Sequence, residues 1–349
     1  MISEAYPSIA SADDRRPVLR EALQAVNSAP LWECFRTLLT REPQFFEPLL
    51  WTWSAMAPLI ERAAREVSMA DAERRVLLLT HPGFPGTIFT TPTLSAGLQI
   101  LNPGESAHAH RHSVAALRLV MMGEGARTVT DGKVCPMEPG DLILTPAWTW
   151  HEHHHDGPTR TVWLDGLDFP LSRALGSIFL ELGPEAPPHD GLASAPDRAL
   201  QEGGVLPEGQ EHDKPYSPLF RYPWRHVRDA LECAQPSDDG SQRIRYVNPI
   251  DGGPIMPTID SFAHRLPSGA PTRRMRATST AIALVIEGSG ESTIGGKVLR
   301  WQQHDVFTLP RWQWTQHTSH RGPATLFLMT DRALMHRIGQ LREEVAEPT

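Results

Sequence analysis

Three histidines in the first half of the chain have the spacing of a metal site. His110 and His112 are separated by one residue, so on a β-strand their side chains point to the same face. His151 follows the turn-forming segment Pro146–Trp150 and would arrive from a neighbouring strand. Three imidazoles on one side of an ion leave the remaining positions open for a substrate and a gas, as mononuclear iron requires for oxygen chemistry. The pattern therefore predicts one Fe(II) per chain, held by these three residues.

Two further residues are predicted to lie near this site. Arg118 lies an even number of residues from His112, so a continuous strand would turn it inward, where a guanidinium needs an anionic partner. That partner is either a structural carboxylate or the carboxylate of a bound substrate. His153 lies two residues beyond His151 and would also face inward, to hydrogen-bond a substrate and move protons, or to bind the carboxylate of Asp165.

The elements that must position these residues are mainly strands. Residues 14–75 have helical periodicity, whereas residues 88–167 and 255–331 alternate apolar runs with turn chemistry. An Asp-Gly turn within residues 128–134 indicates a hairpin, and residues 183–245 read as a linker with a helix near residues 225–234. The predicted segments are an N-terminal helical segment, a metal-binding barrel, a linker with a helix, and a second barrel with a C-terminal helix. Their bounds are 1–87, 88–182, 183–250 and 251–349.

The two strand-rich regions repeat each other at a nearly constant offset. Gly123-Glu124-Gly125 is matched by Gly288-Ser289-Gly290, and Trp148-Thr149-Trp150 by Trp312-Gln313-Trp314. The sequence therefore predicts an all-β fold with two jelly-roll barrels in one chain. The positions that match the three histidines hold Met275, Ala277 and Thr315, so only the first barrel is expected to bind metal.

Composition limits the partners and the compartment. A net charge of −8 without a basic run disfavours nucleic acid and anionic membranes as partners. We find no apolar run of about 18 residues that would span a membrane, and the N-terminus lacks the pattern of a signal peptide. Three isolated cysteines, at positions 34, 135 and 233, are typical of a protein from a reducing cytoplasm.

The motifs around the histidines resemble those of cupins. The first cupin motif reads Gly104, His110, His112, Ala116 and Gly123, with alanine where a glutamate ligand is usual, and the second reads Gly140, Pro146, Trp148, His151 and His155. Within cupins, the loss of the glutamate resembles the gentisate 1,2-dioxygenase group, which includes salicylate and 1-hydroxy-2-naphthoate dioxygenases. The likeness extends over most of residues 30–335 and is most specific between residues 90 and 170.

This resemblance implies a cytoplasmic homotetramer that uses Fe(II) and O2 to open the ring of a small aromatic hydroxy acid between its carboxyl-bearing and hydroxyl-bearing carbons. It implies that Arg118 binds the substrate carboxylate, and that Arg74, in preference to Arg75, and Gln99 line the pocket. Ser95 stands where gentisate enzymes are expected to carry a bulky aromatic residue. Gentisate is therefore the first expected substrate, and a substituted salicylate or 1-hydroxy-2-naphthoate is the second.

Two alternatives of other classes stay open at this stage. A cupin without catalytic activity could bind a small aromatic acid as a sensor or store. A zinc or manganese isomerase or hydrolase could use the same fold, because cupin barrels support many chemistries.

Overall fold

The computed structural model describes residues 16–38, 40, 42–43, 45–183, 195–206, 208 and 212–347. The chain divides into two compact units, Met1–Gln44 and Phe45–Thr349. The helices among the described residues are α1 (Arg16–Ala25), α2 (Leu31–Leu38), α3 (Trp53–Glu66), α4 (Met69–Ala72), α5 (Phe169–Ala174), α6 (Ala195–Gly203), α7 (Trp224–Cys233) and α8 (Arg332–Arg337). The first unit holds α1 and α2, and the second holds the other helices and all of the strands described below.

Two nine-stranded antiparallel sheets make up most of the second unit, which confirms the prediction of two barrels. The strands in chain order are β1 (Leu50–Trp51), β2 (Val76–Leu78), β3 (Ser95–Leu101), β4 (Ser106–His112), β5 (Ala116–Thr130), β6 (Lys133–Pro136), β7 (Leu142–Thr145), β8 (His151–Leu167), β9 (Leu180–Leu182), β10 (Arg221–Tyr222), β11 (Gln242–Arg245), β12 (Asp260–Leu266), β13 (Met275–Ala277), β14 (Ala281–Ile294), β15 (Lys297–Gln302), β16 (Val306–Leu309), β17 (Thr315–Thr330) and β18 (Glu343–Val345). The first barrel has the order β10-β7-β5-β8-β3-β2, with β4, β6 and β9 branching from it. The second has the order β1-β16-β14-β17-β12-β11, with β13, β15 and β18 branching from it.

Matching turns and bends confirm the repeat. The hairpin between β5 and β6 turns at Asp131-Gly132 and the hairpin between β14 and β15 turns at Gly295-Gly296, and all four residues have positive φ. The Gly-x-Gly motifs lie where the pairing register of β5 with β8 and of β14 with β17 shifts. A side chain on Gly125 would lie 2.3 Å from the backbone of Gly157, so this bend requires glycine.

Each barrel also takes an edge strand from a segment outside its continuous sequence. Strand β1 pairs with β16 of the second barrel, and β10 pairs with β7 of the first. The prediction that residues 14–75 are entirely helical is therefore wrong at β1, because a strand of two residues has no period to detect. The predicted linker helix is confirmed as α7, while residues 184–194 of the linker lie outside the described residues. The division of the chain at residues 87, 182 and 250 stays a prediction.

Equivalent aspartates connect the two barrels. Asp168 precedes α5 and accepts a hydrogen bond from Thr258 Oγ1 at 2.6 Å, and Asp331 precedes α8 and accepts one from Thr93 Oγ1 at 2.8 Å. One hydrophobic cluster also spans both halves, where Met329 packs against Gly166 so closely that a Cβ there would lie 2.0 Å from its sulfur. These contacts join the two barrels into one packed unit. No helix within the described part of the chain is both long and apolar enough to cross a membrane.

Candidate metal centre

The three predicted histidines converge inside the first barrel. His110 and His112 come from β4 and His151 begins β8, and one ring nitrogen of each lies within 4.8 Å of those of the other two. The ring centroids of His110 and His151 are 4.1 Å apart, and those of His112 and His151 are 4.8 Å apart. Three donors at this spacing can share one metal ion.

A bulge in β4 brings the histidines into register. Ala107 pairs with His153, but the next pair joins His110 to His151, so β4 has one more residue than β8 between these points. Without the extra residue, Ala109 would face His151, because side chains on a regular strand alternate. Bulges redirect side chains in this way near functional sites.

Hydrogen bonds orient two of the imidazoles for metal binding. Nδ1 of His112 donates to the carbonyl of Val114 at 2.6 Å, and Nδ1 of His151 donates to the carbonyl of Thr149 at 3.0 Å. Each Nε2 therefore carries the lone pair, and Nε2 of His151 is buried without a hydrogen-bond partner. Burial lowers the pKa of His110 to about 2, that of His112 to about 4 and that of His151 well below its usual value, so all three are neutral at pH 7. Three neutral imidazoles that converge in this way fit a divalent ion.

Arg74 reaches the cluster and Arg75 does not. The Nη2 atom of Arg74 donates to Nδ1 of His110 and to the carbonyl of His108, whereas Arg75 forms a two-fold ion pair with Glu105 at 2.9 Å. Burial lowers the pKa of Arg74 to about 10, which leaves it charged at neutral pH. A neutral imidazole has one lone pair, so in this arrangement Arg74 and a metal ion compete for His110.

Arg118 is buried beside a carboxylate in the same interior. Its Nη1 donates to Thr145 Oγ1 at 2.8 Å, and its Nε lies 3.2 Å from Asp165 Oδ1 without hydrogen-bond geometry. Burial raises the pKa of Asp165 to about 6 against the opposing effect of Arg118, and the Trp163 indole also donates to its Oδ1. Arg118 does not share a continuous strand with His112, as the prediction assumed, because a bend at residues 113–115 separates β4 from β5. Its inward direction follows instead from its cross-strand pairing with Asp165.

His153 is buried in the barrel interior beside the histidine cluster. Its ring is fully buried, 6.2 Å from that of His151, with Nδ1 hydrogen-bonded to Thr128 Oγ1 at 2.9 Å and Nε2 without a hydrogen-bond partner. The alternative in which His153 binds Asp165 is not what the structure shows, because Asp165 contacts Arg118 and Trp163.

Gln99 and Ser95 lie on the same face of β3. Gln99 pairs across the strands with Trp163 and is 2% exposed, with its Nε2 lacking a hydrogen-bond partner. Ser95 pairs with Leu167, and its hydroxyl donates to the carbonyl of Ile88 at 3.0 Å.

Two further hydroxyls in this interior, those of Thr128 and Thr145, were not predicted from the sequence. They hold His153 and Arg118, respectively. For Thr145 the available signal was a single threonine at the end of the otherwise apolar strand β7, because a buried hydroxyl needs a polar partner.

The chain is similar to known proteins over nearly its whole length. The cupin domain family matches residues 97–166. A gentisate 1,2-dioxygenase of Aquipseudomonas alcaligenes is 36% identical over 92% of this chain and 94% of its own length, and a 5-aminosalicylate 1,2-dioxygenase of Comamonas is 35% identical over 93% and 89%. The crystal structure of salicylate 1,2-dioxygenase from Pseudaminobacter salicylatoxidans superposes with a TM-score of 0.89 at 30% identity, covering 96% of this chain and 99% of that one. A second structure of that enzyme, with gentisate adducts, gives a TM-score of 0.90 at 29% identity and covers 100% and 99%.

Proposed function

The chain belongs to the family of gentisate and salicylate 1,2-dioxygenases, and from that premise we propose that it holds one Fe(II) and opens the ring of a 2-hydroxybenzoate. It is a ring-cleaving dioxygenase, in which both atoms of O2 enter the product and the bond between the carboxyl-bearing and hydroxyl-bearing ring carbons breaks. The observation that carries the proposal is the convergence of His110, His112 and His151. Nε2 of His151 is buried there without a hydrogen-bond partner.

The charge of the ligand set favours an acidic substrate. Three neutral imidazoles leave the ion its full positive charge, whereas a carboxylate ligand would cancel part of it. Bound Fe(II) would activate O2 and lower the pKa of the substrate hydroxyl. A 2-hydroxybenzoate, with its carboxylate and ortho oxygen side by side, suits such a site.

Two arginines supply the carboxylate contact in this proposal. Arg118 is oriented by Thr145 and Asp165, and its planar fork matches a carboxylate. Arg74 would leave His110 for the substrate once an ion takes the imidazole lone pair. Asp165 acts by holding Arg118, so we assign it a positioning role.

His153 and Gln99 complete the proposed pocket. Each carries a buried nitrogen without a hydrogen-bond partner, and a bound hydroxy acid would supply oxygen atoms to both. We propose that His153 hydrogen-bonds a reacting oxygen and transfers a proton there, while Thr128 fixes its ring.

Gentisate is the first proposed substrate. The substituted salicylates and 1-hydroxy-2-naphthoate are the second, because Ser95 is small where a bulky aromatic residue is expected. Sequence identity does not separate these substrates, because the gentisate, 5-aminosalicylate and 1-hydroxy-2-naphthoate 1,2-dioxygenases are similar to this chain at 36%, 35% and 35% identity. The last of these, from Nocardioides, matches 85% of this chain. Replacing Ser95 with Trp should therefore narrow the substrate range toward monocyclic acids.

Anaerobic loading with Fe(II), followed by oxygen uptake over a panel of hydroxybenzoates, tests the proposal. We expect stoichiometric uptake with gentisate or a substituted salicylate. The absence of uptake with every member would favour a binding protein, and turnover without oxygen would favour an isomerase or hydrolase.

We also propose a cytoplasmic homotetramer. All three cysteines are free, which suits a reducing compartment. The segment from Leu175 to Leu182 exposes Leu175, Ile178, Phe179, Leu180 and Leu182, an apolar strip that assembly would cover. Light scattering at micromolar concentration tests the stoichiometry, and a monomer would refute it.

A further inference from the structure

The second barrel, which lacks the histidine cluster, contains a cavity of its own. This cavity encloses about 580 Å³, which is within the usual range of small-molecule sites. Phe262, Leu309 and Leu328 form an apolar wall, while Arg243, His264 and His317 supply polar groups. The cavity is therefore built like a ligand site, with an apolar wall and a few polar groups.

This cavity lacks the three histidines and the buried arginine–aspartate pair of the first barrel. Met275 pairs with Thr315 in the register in which His110 pairs with His151. Ala283 pairs with Leu328 on β17 and with Phe307 on β16, as Arg118 pairs with Asp165 and Ile143 in the first barrel. A ligand in this cavity would therefore bind without a metal ion, because Met275 and Thr315 stand where the first barrel has His110 and His151.

Arg243 has unused capacity for an anion. Its Nη2 lies 3.2 Å from the Met275 sulfur and 3.5 Å from Asp239 Oδ2, and its Nε is buried without a hydrogen-bond partner. A thioether is a weak acceptor, and a guanidinium carries five N–H donors. Asp239 Oδ1 accepts from both the backbone and the hydroxyl of Ser241, while its Oδ2, the oxygen nearest Arg243, is buried without a hydrogen-bond partner.

The other arginines around the cavity have closer carboxylate partners. Arg245 contacts Asp260 at 2.8 Å. Arg276 contacts Glu344 at 2.6 Å, and Arg332 contacts Glu343 at 2.7 Å. Arg243 is therefore the lining cation with the most incomplete set of partners.

Two buried imidazoles extend the polar side of the cavity. Nδ1 of His264 is buried without a hydrogen-bond partner, while its Nε2 lies 2.6 Å from Ser241 Oγ. Nδ1 of His317 lies 2.7 Å from Ser292 Oγ, and the two rings are 5.6 Å apart. Because Ser241 Oγ donates to Asp239, it accepts from Nε2 of His264, and Nδ1 of that neutral ring carries the lone pair. Of the two imidazoles, only His317 could therefore offer an N–H to a carboxylate oxygen beside Arg243.

We propose that the second barrel binds a small monocarboxylic acid with an apolar body, its carboxylate on Arg243 and its body against Phe262, Leu309 and Leu328. The site is independent of the iron site and of the ring-opening reaction. Because Asp239 already neutralises part of the arginine charge, we expect a Kd on the order of 1 mM or tighter for an acid of benzoate size.

Fluorine NMR with 4-fluorobenzoate on the iron-loaded full chain tests this site. We expect Arg243→Met to remove one bound acid per chain, and Leu328→Phe, which fills the apolar wall, to do the same. The matched control is Arg300→Met, which removes a 79%-exposed arginine of the same barrel and should leave binding intact. The neutral amide 4-fluorobenzamide should bind roughly tenfold more weakly or worse.

Equal stoichiometry and affinity in wild type and Arg243→Met would overturn the proposal. So would equal binding of the amide, loss of binding in Arg300→Met, or no binding to a wild type shown to be folded by circular dichroism. Oxygen uptake is measured on the same samples, so failure of the ring-opening proposal and failure of this one are separate results.

Discussion

His153 and His317 occupy equivalent positions in the two barrels. Nδ1 of each ring meets a hydroxyl on the neighbouring long strand, Thr128 at 2.9 Å and Ser292 at 2.7 Å. The ring of His153 lies 6.2 Å from that of His151 in the histidine cluster, whereas the ring of His317 lies 5.6 Å from that of His264 in a cavity that Arg243 also lines. The two barrels thus share a buried histidine–hydroxyl pair. The residues around each pair determine what chemistry that barrel can support.

Loss of one imidazole should abolish metal binding without unfolding the chain. His151→Gln removes the unpartnered Nε2, and we expect the affinity for Fe(II) to fall by at least roughly 100-fold, with loss of oxygen uptake. Elemental analysis after anaerobic loading measures the metal. Thr315→Ala, at the equivalent position of the second barrel, is the control, and a fall in iron content there would contradict the assignment.

Removal of Arg118 should weaken substrate binding and leave the iron in place. Arg118→Met deletes the proposed carboxylate contact, and we expect kcat/KM to fall roughly 100-fold or more. It also leaves Asp165 buried without its cation, so the melting temperature should drop and recover partly in Arg118→Met/Asp165→Asn. Steady-state kinetics, iron analysis and thermal unfolding separate these effects, and iron loss in the single variant would show that Arg118 has been assigned the wrong role.

The adjacent arginines should respond in opposite ways. Arg74→Met removes a cation that competes for His110, so we expect metal affinity to rise roughly tenfold while substrate affinity falls. Arg75→Met breaks the buried pair with Glu105 and should lower thermal stability without raising metal affinity. Competition titrations with a chelator measure both variants. Equal metal affinities in Arg74→Met and wild type would argue against competition at His110.

His317 in the second barrel should make the free energy of unfolding depend on pH in the acid range. Burial lowers the pKa of His317 to about 4, so between pH 6.5 and 4 the unfolded chain binds a proton there that the folded chain does not. The free energy of unfolding should therefore decrease as the pH falls through this window. His317→Gln should reduce the difference between pH 7 and pH 4.5 by about 2 kcal/mol.

Urea unfolding at the two pH values measures that difference. His320→Gln, which changes a 48%-exposed histidine on the same strand, is the control and should leave it unchanged. An identical pH dependence in His317→Gln and wild type would contradict a buried neutral imidazole at this position.

Local chemistry was enough to predict the broad architecture and the three histidines that converge in the first barrel. The i, i+2 spacing of His110 and His112 holds on any strand, and the Asp131-Gly132 turn requires backbone angles that few residue pairs adopt. The repeat of these motifs at a nearly constant offset indicated two barrels, because an internal repeat can be detected in a sequence without knowing which residues are in contact.

Only the tertiary structure decided how these parts meet. The extra residue in β4 selects His110 over Ala109 to face His151, and the pairing of Arg118 with Asp165, rather than strand parity with His112, turns the guanidinium inward. Thr128 and Thr145 acquire their roles from strands that are distant in sequence. Strand register and bulges depend on the pairing of whole strands, and no short window of sequence contains both partners. The types of the site residues were therefore enough to identify them as candidates, but not to predict which residues they contact.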